Sequence, residues 1–145
     1  MAITVRKIVL WRAEVDNHPG ALAAALQPIA QAGADLNAVM GYRHPSADGK
    51  ATVEVFPISG KKSAAAARAA GFSAATIPAL LVEGDNKPGL GYRVAEAVAT
   101  KGINMAFCIA QVIGRKFAAV IGFETDDDAK KALPAIKSVG KVAKT

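Results

Sequence analysis

The chain has 145 residues, 52% of them hydrophobic and 6% aromatic, with 18 Lys and Arg against 12 Asp and Glu, a formal charge of +6 and a pI near 9.6. Residues 1–77 carry 8 basic and 5 acidic groups and residues 78–145 carry 10 and 7, so each half is +3 and the scattered lysines argue against a nucleic-acid or membrane surface. The apolar content excludes a disordered chain, and the single Cys108 excludes an intramolecular disulfide and fits a cytoplasmic setting.

The run Ile3 to Trp11 is broken by Arg6 and Lys7 and lacks the long apolar core of a leader. Val5 to Val15 reads as one strand, with Val5, Val9, Trp11, Ala13 and Val15 on one face, ending at Asp16. Leu22, Leu26, Ile29 and Ala30 then recur at helical spacing up to a stop at Gly33, with Pro28 expected to kink or shorten the helix. Leu36 to His44 and Lys50 to Ile58 are two strands joined by the turn-rich Pro45-Ser46-Ala47-Asp48-Gly49. Lys61 to Ala70 is an Ala-rich helix closed by Gly71, and Phe72 to Ile77 is a fourth strand. The order then repeats: strand Ala79 to Glu83, helix Leu90 to Lys101, strands Ile103 to Ile113 and Phe117 to Thr125, and helix Asp127 to Lys137, with a frayed tail.

The repetition extends to the residues. Asp16-Asn17-His18-Pro19-Gly20 returns 69 positions later as Asp85-Asn86-Lys87-Pro88-Gly89, and Gly33-Ala34-Asp35-Leu36 falls on Gly102-Ile103-Asn104-Met105. The chain therefore reads as two units, 1–77 and 78–145, rigidly coupled because Pro78 alone separates the flanking strands. The pattern strand, helix, strand, strand, helix, strand in each gives an α+β fold of two ferredoxin-like βαββαβ units, antiparallel sheets with helices on one face. In the strand from Ile103, the row Ile103, Met105, Phe107, Ile109 and Ile113 and the opposite row Ala106, Cys108, Ala110 and Val112 are both apolar. Both faces are expected to be covered, the second by another sheet. Units of about 70 residues bury too little surface alone, so a homodimer or higher homo-oligomer is expected.

The duplicated Asp-Asn-x-Pro-Gly turn after a first strand, together with Gly102-Ile103-Asn104-Met105 at the entry to the second strand, resembles the ACT domain, a small amino-acid-binding regulatory module. The likeness covers nearly the whole chain and is strongest over residues 79–125. It implies a tandem, non-catalytic protein that binds an amino acid or similar carboxylate between modules and transmits occupancy to a partner. The implied ligand residues are Asp85, Asn86, Lys87, Pro88, Gly89 and Leu90 with Asn104 across from them, and Asp16, Asn17, His18, Pro19, Gly20 and Ala21 with Asp35 in the place of Asn104. The backbone N–H groups of Asn17 to Ala21 and Asn86 to Leu90 would take the carboxylate, Asn104 and Asp35 the amino group, and Leu90 and Met105 the side chain. An Asp at 35 repels a carboxylate and accepts from an ammonium, so the two sites need not be equivalent. Such modules normally lie beside catalytic domains, for which 145 residues leave no room; a partner enzyme is the natural counterpart.

The residues also admit a plainer reading. Asn17 and Asn86 serve as helix caps worth ~1 kcal/mol, both turns are only turns, and the sheet docks on an enzyme. His18 and His44 lie in different loops without Cys or His-x-x-x-His spacing, so neither a metal nor another cofactor is expected, and His18 is a turn residue that touches ligand. Cys108 reads as a buried inert thiol, and Asp126, Asp127 and Asp128 as helix-opening charges. No Ser-His-Asp, paired-carboxylate or Walker arrangement suggests an enzyme. Gly84 to Gly91 lacks the dinucleotide and P-loop spacing, which leaves phosphate there a minor option. Lys116 to Phe123 has Ala118 and Val120 where an RNA-binding sheet places stacking aromatics.

Overall fold

The apolar alternation at the start of the chain belongs to two strands in two different sheets. In this computed structural model, which describes residues 2–44 and 48–142, β1 (Ile3–Ile8) and β2 (Trp11–Asp16) are separated at Val9 and Leu10. The expected hairpin tip at Pro45, Ser46 and Ala47 lies outside the described residues. Lys7 breaks the inward row between Val5 and Val9, and its ammonium pairs with Asp126 at 2.8 Å at the start of the last helix.

Two compact units result. One is Val9–Thr76; the other joins residues 2–8 to residues 77–142. The inserted unit contains β2, α1 (Ala21–Gln31), β3 (Ala38–Arg43), β4 (Lys50–Phe56), α2 (Lys61–Ala69) and the two-residue β5 (Ser73–Ala74). The discontinuous unit contains β6 (Ala79–Asp85), α3 (Leu90–Thr100), β7 (Met105–Ile113), β8 (Lys116–Phe123) and α4 (Asp126–Val142). Its fourth strand comes from the other end of the sequence. β1 pairs antiparallel with β6, Ile3 opposite Gly84 and Lys7 opposite Leu80, so residues 2–8 sit with the second half of the sequence rather than within a 1–77 unit. The sheets are ordered β3-β4-β2-β5 and β1-β6-β8-β7, antiparallel throughout, the α+β ferredoxin-like arrangement expected.

The helices form where apolar spacing demanded. Ala25 and Ile29 of α1 meet Ala13, Val53 and Val55 in one core, and Val94 and Val98 of α3 meet Val82, Ala119 and Ile121 in the other. α1 continues through Pro28 to Gln31. It closes on Gly33, whose N–H donates to Ala30 O at 3.0 Å while that of Ala34 donates to Ile29 O at 3.2 Å, a Schellman stop that Gly71 and Gly102 repeat.

Two expectations for β7 change. A bulge between Met105 and Phe107 reverses the faces, so Met105 packs on the helix-side core while Phe107 lies over Gly122 on the other face. Most of β7 is uncovered in this chain: Ile109, Val112 and Ile113 are 45%, 47% and 70% exposed, and Cys108 is exposed rather than buried. Partial burial still pushes the Cys108 thiol above the ordinary range.

Candidate functional site

The duplicated string folds into the same turn twice. Pro19 and Gly20 are its central residues, Gly20 at φ 86 and ψ −2, and the Ala21 N–H closes it by donating to His18 O at 3.1 Å. These are the angles of a type II turn, whose third position needs positive φ and therefore glycine. Pro88 and Gly89, at φ 82 and ψ 4, repeat the geometry, with Leu90 donating to Lys87 O at 3.1 Å. Asn17 and Asn86 are accordingly not helix caps: the caps are Gly20 and Gly89, neither with a side-chain bond. The Asn17 N–H instead donates to Gly49 O and that of Asn86 to Arg115 O, both at 2.8 Å, tying each turn to the neighbouring hairpin.

The leading aspartates are tied down too. Asp16 accepts from Lys50 Nζ at 2.7 Å and Asp85 from Lys116 Nζ at 2.5 Å. The hydrogen bond and charge of each lysine hold the carboxyls below the usual aspartate range. Both pairs are exposed, so they steer the turn more than they stabilise it. With Asn17 and Ala21 N–H groups engaged, a ligand at the first turn would meet those of Leu22 and Ala23, which have no intrahelical acceptor in the first turn of α1.

A cavity of about 320 Å³ lies beside the first turn, inside the inserted unit. Val15, Ala51 and Val53 form its apolar floor with Gly41, while Asn17, His18 and Arg43 are polar groups in its wall. The register explains Arg43. Val39, Gly41 and Arg43 sit opposite Val55, Val53 and Ala51 and so share the helix-facing side of the sheet, where a guanidinium at the strand end reaches the cavity. His18 Nδ1 lies 2.9 Å from Pro19 O, and since a carbonyl only accepts, this ring nitrogen is the donor. The dipole end of α1 and Arg43 together make the region favourable to an anion. Arg43, Gly41 and Ala51 escaped the motif reading, although a cation in a core-facing strand row was a visible signal for the first of them.

The second turn differs. The position of Ala21 is taken by Leu90, 1% exposed, and that of Ala51 by Phe117, 5% exposed, both members of the core. Leu90 and Met105 are thus packing residues where the ACT likeness implied ligand contacts. Lys87 stands in the place of His18, exposed.

Asp35 and Asn104 do not meet the turn of their own unit. Each precedes a strand whose far end, Arg43 or Ile113, lies by the turn, so the separation is on the order of 20 Å. Both are exposed, and Asn104 Nδ2 donates to Glu124 Oε1 at 3.2 Å. Among the described residues no group of three or more His, Cys, Asp or Glu is placed to hold a metal ion, and no helix is long and apolar enough to cross a membrane.

No protein-family model matches the chain, and no curated protein matches it. Solved structures do. A Bacteroides thetaiotaomicron protein superposes with TM-score 0.74 at 14% identity, over 90% of this chain and 88% of that one. The ligand-free regulatory subunit of aspartate kinase from Thermus thermophilus gives 0.64 at 15% identity, over 96% and 97%. The corresponding subunit from Thermus flavus gives 0.58 at 17% identity, over 97% of each chain. The chain shares its fold with these regulatory subunits along nearly its whole length.

Proposed function

We propose that this chain is a cytoplasmic, non-catalytic regulatory protein of tandem ACT type that binds an amino acid or similar small carboxylate and passes its occupancy to a partner enzyme. The observation that carries the proposal is the cavity at the first turn, where an apolar floor, the start of α1 and Arg43 converge. Its volume of about 320 Å³ sits at the small end of the range for ligand sites, which suits a single metabolite. The fold shared with regulatory subunits of aspartate kinase supports the reading. Binding would shift an equilibrium between two states by no more than the difference in ligand affinity between them. In this reading Asp35 and Asn104 reach a ligand only from a neighbouring module, since their own turn lies at the far end of the sheet.

A docking role is favoured by one observation, the exposed apolar β7, and accommodates the same fold with both turns as plain connections. A thermal-shift screen against the twenty amino acids and common carboxylates separates the two. A ligand at a hundred times its dissociation constant stabilises the native state by ~2.7 kcal/mol. A selective rise in midpoint from one related group of compounds is the expected result; a flat response across the panel would leave only docking.

A further inference from the structure

We propose that the ligand at the first turn carries a hydrogen-bond donor on the carbon next to its carboxylate, an α-amino or α-hydroxy group, and that His18 Nε2 accepts from that donor while Arg43 takes the carboxylate. The proposal rests on the ligand-binding reading above and narrows its ligand class from small carboxylates at large to those that bear such a donor.

The histidine tautomer is the starting point. A neutral imidazole has one N–H, and the hydrogen bond made by one ring nitrogen decides which of the two holds it. His18 Nδ1 donates to Pro19 O at 2.9 Å, so the proton sits on Nδ1 and Nε2 keeps its lone pair. Among the described residues no group donates to Nε2.

The rest of the polar wall is of the opposite kind. Arg43 only donates, and so do the Leu22 and Ala23 N–H groups in the first turn of α1. Asn17, a carboxamide, presents either its oxygen or its nitrogen and so makes no choice between ligands. No Asp or Glu is among the described residues lining the cavity. Tyr42 and Thr52 border it, but they alternate with Gly41 and Arg43 and with Ala51 and Val53, which puts their side chains on the other face of the sheet. His18 is therefore the one side chain of fixed accepting character in a wall of donors.

A carboxylate satisfies the donors, and Nε2 then calls for a donor on the same small molecule. An α-ammonium or an α-hydroxyl supplies it within a cavity of about 320 Å³. An α-keto oxygen only sets a second lone pair against the first. Asp35, to which the ACT likeness gives the amino group, lies at the far end of the sheet from this turn, so within one unit His18 stands in that role. The second turn lacks both parts. Lys87 holds the position of His18 and can only donate, and Val112, which faces Phe117 as Arg43 faces Ala51, has no charge.

Isothermal titration of the full chain with matched triplets of amino, hydroxy and keto acid tests this: alanine, lactate and pyruvate; phenylalanine, phenyllactate and phenylpyruvate; and leucine and glutamate, each with its own α-hydroxy and α-keto acid. In the triplet that binds, we expect the amino or the hydroxy acid to bind at least about tenfold more tightly than the keto acid. His18→Lys, a residue that the same turn already carries at Lys87, should erase this preference, while Arg43→Gln should weaken all three members together, both at unchanged melting temperature. An amino acid ahead of its hydroxy acid identifies the donor as an ammonium, and the reverse order as a hydroxyl. A keto acid that binds as tightly as its partners, or a preference that survives His18→Lys, would overturn the proposal and leave the ligand-binding reading standing. The wild-type ranking alone decides should a variant fail to fold. Silence from every triplet and from the thermal screen would remove that reading, and the proposal with it.

Discussion

Tyr42 carries the clearest electrostatic consequence at the level of single residues. Thr52 and Glu54 alternate along β4 with Val53 and Val55, on the sheet face away from the helices, and both are buried, at 0% and 2% exposure. The Tyr42 hydroxyl donates to Glu54 Oε1 at 2.5 Å, while Glu54 Oε2 and Thr52 Oγ1 have no hydrogen-bond partner. Burial first, and then the hydrogen bond to the Glu54 carboxylate, pushes the Tyr42 phenol from 10.0 up to about 12. The unfolded phenol ionises near 10.0 while the folded one holds its proton to about 12, so the stability Tyr42 contributes is complete below pH 10.0 and is lost as pH rises through about 12. Urea midpoints of the wild type should therefore fall more steeply over that window than those of Tyr42→Phe. Parallel curves would show that the phenol is not held in this way.

Among the elements, β1 is the one whose place the local sequence conceals. Its alternation continues unbroken into β2 except at Lys7, and its partner β6 lies more than seventy residues away, where no local propensity can point. Because Val5 belongs to the core of the discontinuous unit, removing residues 2–8 should strip hydrogen-exchange protection from the amides of β6 and β8 and leave those of β4 protected. Uniform loss across both sheets would count against this division. The helices were legible because Leu, Ile and Ala recur at their period and glycines mark three of the ends. The turn was legible as Pro-Gly, but its type was not: the helix starts one residue after the glycine, so asparagine is too early to cap it. The faces of β7 were misread because a bulge adds a residue that alternation cannot register. Asp35 and Asn104 were placed by family likeness, and the direction of their strands carries them away from the turns.

At the scale of the whole molecule, the edge strand β7 presents nine residues without a charge or a proline, with Ile109, Val112 and Ile113 exposed. Edge strands of this kind pair unless something blunts them, so we expect a homodimer or larger assembly built on it. Light scattering on the eluted protein should give a multiple of 14.9 kDa, and Ile109→Lys should give a single chain; a wild type that runs as one chain at micromolar concentration would refute the expectation. The borrowed strand has a last effect, on order in time. During synthesis β1 leaves the ribosome well before its partner, which emerges only after every residue of Val9–Thr76 has been made. The inserted unit can therefore finish folding while β1 waits unpaired, so a strand made before that unit finds its place after it.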